Sequence, residues 1–208
     1  MNYLAHAFLA EQDPDGLVGA LLGDFVKGPL PGLWRPSLAR AIALHRSIDG
    51  FTDAHPVTLR SRARFERPLR RYAGIVVDVF YDHVLARTWD DHSAEPLQAF
   101  SRRVYASAMG QFASLPEPMQ RMVRRMVDED WLTSYAEVAA VDRALQRIAR
   151  RLSRENPLPR AIDALREVDA GLEADFSVFL PQLVAHVCDW KTRRAAPSAT
   201  VGSIAANG

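Results

Sequence analysis

The chain has 208 residues, and hydrophobic residues make up 48% of them, which is enough for one domain with a substantial core. Its formal net charge is +1, so the chain as a whole has no strong electrostatic attraction for nucleic acid or for an anionic membrane surface. It contains a single cysteine, Cys188, which excludes an internal disulfide and fits a reducing compartment.

The amino-terminal segment carries neither a basic stretch nor a long apolar run, so we do not expect a signal peptide. No stretch approaches the roughly 20 consecutive apolar residues of a membrane-spanning helix. These features predict a cytoplasmic protein without a membrane span, and they leave its oligomeric state open.

Helical periodicity, with proline and glycine at the breaks, predicts an all-α chain. Residues 195–208 are small, uncharged and turn-rich, which predicts a disordered tail after a single helical catalytic domain over 1–194. We expect helices over 3–11, 16–22, 36–51, 69–89, 97–112, 118–128, 129–135, 141–154, 160–170 and 172–191.

The first helices carry an isolated histidine and an isolated aspartate. His6 lies beside apolar residues of the first helix, and either a hydrogen-bonded core histidine or a functional imidazole fits that position. Asp24 follows Gly23 at the end of the second helix, where it is either a capping residue or a metal ligand on a loop.

The next helix repeats a pattern that brings two polar side chains together. His45 and Asp49 are four residues apart and therefore share one helix face. A single pair of this kind is a weak signal, but it gains weight from a similar pair further along the chain.

A basic window follows between residues 60 and 71, with six arginines and one glutamate. It is either a solvated helix face or a docking patch for an acidic partner, and nucleic acid is a weaker form of the second alternative. The residues predicted to bind the partner are Arg60, Arg62, Arg64 and Arg67.

The most apolar helix of the chain contains the stretch DVFYDH, from Asp78 to His83. Asp78 and Asp82 are four residues apart and share a face, with His83 beside them. Burying two carboxylates and an imidazole is costly without a partner, and a metal ion is a common partner. Mixed histidine and aspartate ligands suit Mn, Fe, Zn or Mg, and carboxylate-rich sets favour Mn or Mg.

These residues predict a metal-dependent hydrolase. The chain contains no Gly-x-Ser-x-Gly nucleophile elbow, no P-loop and no dinucleotide-binding fingerprint. Cys188 lies late on an apolar helix, which favours a packing role over a nucleophilic one.

Four segments together resemble the acyl carrier protein phosphodiesterase family: NYLAH (2–6), GALLGDFV (19–26), HRSIDGFTD (45–53) and DVFYDHVL (78–85). The resemblance implies a compact helical bundle related to HD-domain phosphohydrolases, with the motif order rearranged. It also implies Mn²⁺-dependent hydrolysis (with Mg²⁺ or Fe²⁺ as alternatives) of holo-acyl carrier protein to 4′-phosphopantetheine and apo-protein. One departure from the family pattern is Ala20, where asparagine is usual.

Carried onto this chain, the resemblance assigns roles to a small set of residues. An imidazole would protonate the departing serine oxygen. Acidic, helical carrier proteins would dock on the 60–71 window, on Arg121, Arg124 and Arg125, or on the 143–154 helix. The expected metal-site residues are Asp24, His45, Asp49, Asp78 and Asp82, with His83 as the alternative to Asp82. Catalytic roles are expected for Asp24, His6 and His83.

Two alternatives remain from the residues alone. A small-molecule phosphohydrolase acting on a nucleotide or sugar phosphate would use the same metal site without a docking face. A non-enzymatic helical binding module would use only the basic faces.

Overall fold

The computed structural model describes residues 2–30 and 32–195, apart from the side chain of Ala195. Within these residues the chain folds into α-helices and short 3₁₀-helices without a β-strand, which confirms the predicted all-α class. The predicted tail lies outside the described residues, except for Ala195, where the last helix ends. The α-helices are α1 (Tyr3–Leu9), α2 (Pro14–Leu22), α3 (Pro36–Ala54), α4 (Pro56–Ala63), α5 (Ala73–Arg87), α6 (Leu97–Gly110), α7 (Glu117–Asp128), α8 (Trp131–Ser134), α9 (Val138–Ala149) and α10 (Ala161–Ala195).

Local sequence signals begin the helices that carry the site. The Asp13 side chain accepts a hydrogen bond from the Gly16 N–H at 2.9 Å and caps α2, with Pro14 in the first turn. Pro36 likewise opens α3. Since proline fixes its own φ and lacks the N–H that a first turn leaves unpaired, it suits this position.

Helix α5 forms the centre of the molecule. Most of its side chains are buried, and it packs against α1, α4, α9 and α10. Helix α2 lies closely along α3 because Gly19 has no side chain: a Cβ there would collide with Ala41. This close contact brings the end of α2, and with it the 3₁₀-helix Gly23–Phe25, against α3.

The carboxyl-terminal region is one long helix, and the prediction of two helices over 160–170 and 172–191 was wrong. Glycine inside a helical pattern weakens a helix, which is why Gly171 suggested a break. In the structure Gly171 lies inside α10, where a Cβ would sit 2.7 Å from Cζ of Arg64. The glycine therefore makes room for Arg64, which directly follows α4.

Two other boundaries change which residues share an element. Helix α3 continues to Ala54, so Asp53 lies on the helix and not in a turn. The basic window does not form one helix, because α4 ends at Ala63 and a 3₁₀-helix over Leu69–Tyr72 precedes α5.

Candidate metal centre

Two histidines and an aspartate from α1 and α3 form a compact cluster. The His6 and His45 rings stack with their centroids 3.9 Å apart. Nε2 of His6 lies 3.0 Å from one carboxylate oxygen of Asp49, and Nε2 of His45 lies 3.1 Å from the other. One ligand atom from each residue falls within 4.8 Å of the others, a spacing suited to binding one metal ion.

Asp24 joins this cluster from the 3₁₀-helix after α2, with its carboxylate 3.5 Å from Nε2 of His45. Both histidine side chains are 3% exposed, whereas Asp24 and Asp49 are 51% and 42% exposed. The imidazoles therefore form the buried floor of the cluster, and the carboxylates form its open side.

A hydrogen bond orients the His45 ring. Its Nδ1–H donates to the carbonyl of Ala20 at 2.8 Å, because a carbonyl can only accept. The bond directs Nε2 towards Asp24 and Asp49, which is the arrangement of histidines that bind metals. Since the acceptor is a backbone oxygen, alanine at position 20 supplies it as well as asparagine would.

The charges of the cluster compensate one another. Burial alone would lower the pKa of His45, but hydrogen bonds with Asp24 and Asp49 and their charges raise it to about 9. Burial lowers the pKa of His6 to about 4, so this ring is neutral at neutral pH. Burial opposes ionisation of Asp49, yet hydrogen bonds from His45 and His6 hold its pKa well below the usual value.

These groups fit a divalent cation. A cation between Nε2 of His45 and the two carboxylates would compete with the proton held there. Nδ1 of His6 is buried and has no hydrogen-bond partner among residues 2–30 and 32–195, which leaves a second imidazole nitrogen at the cluster. Nitrogen and carboxylate donors of this kind suit Mn²⁺, Fe²⁺ or Zn²⁺, and Mg²⁺ less well.

Asp82 and His83, by contrast, do not join the cluster. The two carboxylate oxygens of Asp82 accept the backbone N–H groups of Leu4 at 2.7 Å and Ala5 at 3.1 Å. Asp82 thereby caps the start of α1 and positions His6, and its role as a metal ligand stays a prediction.

His83 faces another part of the molecule. Its Nδ1–H donates to the carbonyl of Tyr135 at 2.7 Å. The proton-transfer role expected of His83 stays a prediction.

A cavity of about 360 Å³ adjoins the cluster. Asp24 and Asp78 line it together, so Asp78 faces the site without belonging to the cluster. Arginines from α9 and aromatic side chains complete its wall. The lining residues are Asn2, Tyr3, Asp24, Ile75, Asp78, Val79, Trp131, Tyr135, Ala144, Arg147, Ile148 and Arg151.

Sequence reasoning missed the role of two of these arginines. The Arg147 guanidinium lies 4.1 Å from the centroid of the Trp131 ring and 3.1 Å from the Glu129 carboxylate. Arg151, which follows the end of α9, lines the cavity together with Tyr3, and its charge counters the effect of burial on the pKa of the phenol. The four-residue spacing of Arg147 and Arg151 was visible in the sequence, but the cavity that they face was not.

The Tyr3 phenol lies among these charged groups. Burial and the charge of Asp24 raise its pKa to about 12, while Arg151 and Arg147 act in the opposite direction. Tyr3 therefore keeps its proton at neutral pH. The cavity presents the Tyr3 O–H and two guanidinium groups together with its carboxylates, an arrangement suited to a phosphate ester.

The arginines predicted to bind a partner are held within the fold. Arg60 contacts the buried carboxylate of Asp175 at 2.7 Å, and Arg64 contacts it at 2.9 Å. Arg62 bonds Asp53 at 2.6 Å. The docking role of Arg60, Arg62, Arg64 and the exposed Arg67 stays a prediction.

Comparison with known proteins agrees with the resemblance seen in the sequence. The profile described as "Acyl carrier protein phosphodiesterase" matches residues 1–183. Relatives carrying that name include proteins from Photorhabdus laumondii (31% identical over 88% of this chain and 93% of the relative) and Serratia proteamaculans (33% over 91% and 98%). A third, from Salmonella paratyphi A, is 34% identical over 89% of this chain and 96% of the relative.

No solved structure matches the chain. Among the described residues, no helix is both long enough and apolar enough to cross a membrane.

Proposed function

The chain belongs to the acyl carrier protein phosphodiesterase family, whose members are phosphoric diester hydrolases, and from this we propose that it releases 4′-phosphopantetheine from holo-acyl carrier protein in a metal-dependent reaction. The observation that carries the proposal is the cluster of His6, His45, Asp49 and Asp24 beside a cavity that also presents arginines. Family membership sets aside the non-enzymatic binding module.

His45, Asp49, Asp24 and His6 would hold the metal ion, with Mn²⁺ as the proposed ion and Mg²⁺ or Fe²⁺ as alternatives. When bound, such an ion lowers the pKa of a water molecule and polarises a phosphoryl oxygen. Histidine and aspartate donors on neighbouring helices also support the proposed relation to HD-domain phosphohydrolases.

The reaction breaks the bond between phosphorus and the serine oxygen of the carrier. Water supplies the oxygen that joins phosphorus, and the serine oxygen takes a proton, so the products are apo-carrier protein and 4′-phosphopantetheine. Arg147 and Arg151 neutralise the phosphodiester, and the Tyr3 O–H donates to one of its oxygens. Of the two imidazoles expected to protonate the serine oxygen, His83 lies outside the cluster and His6 is a neutral ring among the proposed ligands, so neither is assigned this step. The proton that water loses on attack balances the one that the serine oxygen takes up.

The cavity suits the substrate in size and lining. Its volume of about 360 Å³ lies in the range of sites that enclose small molecules, roughly 300–1,000 Å³. Trp131, Tyr135 and Ile148 give it an apolar wall for the pantetheine chain. A nucleotide or sugar phosphate would use the same cluster, and the names of the relatives favour the carrier protein.

The proposal is tested with Asp24→Ala, which removes the carboxylate shared by the cluster and the cavity. With Mn²⁺ and holo-acyl carrier protein, we expect turnover to fall about 100-fold or more, in line with loss of an electrostatic group from a catalytic site. Asp90→Ala, at an exposed position of another 3₁₀-helix, is the matched control and should keep wild-type turnover.

Chelation supplies a second arm of this test. Wild-type protein treated with a chelator should lose turnover and regain it on addition of Mn²⁺. Equal turnover by Asp24→Ala and Asp90→Ala, or full turnover by the chelated protein, would contradict the proposal.

A further inference from the structure

A second depression adjoins the site cavity. It has a volume of about 330 Å³ and is formed by the 3₁₀-helix after α2 together with α7 and the end of α9. Arg151 lines both the depression and the site cavity, and Phe25 of the depression directly follows Asp24. Its lining residues are Phe25, Pro118, Arg121, Met122, Arg125 and Arg151, and we call this surface the arginine rim.

The arginine rim combines positive charge with an apolar floor. Its three arginines are exposed, whereas Phe25 is half-buried and Met122 is buried. Arg121 contacts Glu117 within α7, while neither Arg125 nor Arg151 forms an ion pair within residues 2–30 and 32–195. Among the residues that the structure describes, no acidic side chain lines the depression.

The 60–64 segment differs from the arginine rim in the partners of its arginines. Arg60 and Arg64 share Asp175, and Arg62 contacts Asp53, so carboxylates of the same chain offset their charges. Arg125 and Arg151 retain their charge for another molecule, and they lie beside the cavity where chemistry is proposed.

We propose that the arginine rim docks an acidic surface of the carrier protein next to the serine that bears the phosphodiester. This inference rests on the proposed function and specifies how the protein part of that substrate is recognised. Acidic side chains of the carrier pair with Arg121, Arg125 and Arg151, and an apolar side chain between them packs on Phe25 and Met122. Because the rim adjoins the cavity, a carrier docked there presents its serine at the mouth of the site.

The test is a double charge reversal, Arg121→Glu with Arg125→Glu, on α7. Arg102→Glu with Arg160→Glu is the matched control, because it makes the same charge change at exposed positions outside the depression and outside the predicted docking windows. Kinetics with holo-acyl carrier protein and carrier binding by titration are measured at several salt concentrations, while thermal unfolding and Mn²⁺ binding check that both variants fold.

For the α7 variant we expect kcat/KM to fall about tenfold or more, mainly through a higher KM. Its KM should also depend less on salt concentration than that of wild-type protein, because salt screens the attraction between complementary charges at an interface. The control variant should keep the wild-type KM. Neutralising the acidic side chains around the carrier's serine should raise the KM of the wild-type protein and change that of the α7 variant little.

The outcomes separate this inference from the proposed function. If wild-type protein cleaves the carrier and both double variants have its KM, the docking surface is wrong and the function stands. The opposite result is that wild-type protein binds the carrier without cleaving it, and that the α7 variant loses this salt-dependent binding. In that case the docking surface is right and the proposed function is wrong.

Discussion

Replacing Gly23 by alanine should weaken metal binding while leaving the fold intact. Gly23 has helical backbone angles, φ −52° and ψ −37°, so alanine meets no backbone strain there. A Cβ at this position would lie inside contact distance of the His45 ring, 2.7 Å from its Nδ1. The ring must therefore move to accommodate the methyl group.

The magnitude follows from the contacts that hold His45. The ring lies against His6 at 3.9 Å and donates to the Ala20 carbonyl at 2.8 Å, so displacement breaks a bond that aims Nε2 at the carboxylates. Loss of such a supporting bond lowers metal affinity about 10- to 100-fold. The free energy of unfolding should change little. Loss of the hydrogen bond destabilises the fold by about 1 kcal/mol, and alanine in place of glycine in a helix stabilises it by about the same amount.

Gly50→Ala is the matched control. Gly50 lies on the same helix as His45 and adjoins Asp49, but a Cβ there would have no atom within 4 Å. It should increase the free energy of unfolding by up to about 1 kcal/mol and leave the Mn²⁺ affinity unchanged.

Titration calorimetry with Mn²⁺ and urea unfolding measure the two quantities separately. If Gly23→Ala binds Mn²⁺ as tightly as wild-type protein and Gly50→Ala, His45 is not a ligand oriented by the Ala20 carbonyl, and the assignment of the centre is refuted.

Three further changes test other parts of the account. Asp82→Ala leaves the Leu4 and Ala5 N–H groups without their acceptor, so the free energy of unfolding measured in urea should fall by about 2 kcal/mol. A Mn²⁺ titration should also show weaker binding, because α1 carries His6. Arg147→Met keeps the apolar stem but removes the charge, and steady-state kinetics should show kcat/KM for holo-acyl carrier protein reduced about tenfold or more. Burial opposes ionisation of Asp175, but hydrogen bonds from Arg64, Ser61 and Arg60 lower its pKa in the folded protein. The ionised carboxylate therefore stabilises the fold at a pH above its unfolded-state pKa of 3.8, and this stabilisation is lost as the pH falls through the lower folded-state pKa. Unfolding followed from pH 7 to pH 3 should therefore show the stability advantage of wild-type protein over Asp175→Asn shrinking below about pH 4; an advantage independent of pH would contradict this.

The sequence predicted the part of the centre that lies on one helix. His45 and Asp49 are four residues apart on α3, so helix geometry alone places them together. Asp24 was also among the candidates, because it lies at the end of the second helix, where a loop carboxylate can approach the other helices. The cluster also contains His6, whose contact with Asp49 joins residues 43 positions apart.

The same spacing rule was insufficient for Asp78 and Asp82. It places both on one side of α5, but the partner of Asp82 is the start of α1, 77 and 78 residues away in the chain. Periodicity identifies a helix face and contains no information about which backbone N–H groups approach it. A buried carboxylate is satisfied as well by a helix amino terminus as by a metal ion.

Helix α10 illustrates another limit of sequence reasoning. Its interior glycine reads as a break, although Gly171 is required for the approach of Arg64. Likewise, the 143–154 segment was expected only as a docking surface, whereas Arg147, which lies 4.1 Å from the Trp131 ring centroid, and Arg151 both line the cavity.

The most direct test of the central claim is mass spectrometry of both products after incubation of the protein with holo-acyl carrier protein and Mn²⁺ in ¹⁸O-labelled water. We expect the carrier to acquire the mass of the apo-protein with an unmodified serine, and the released 4′-phosphopantetheine to contain one ¹⁸O atom on phosphorus. A carrier that keeps its holo mass, in a sample where the cluster has bound Mn²⁺, would contradict the account.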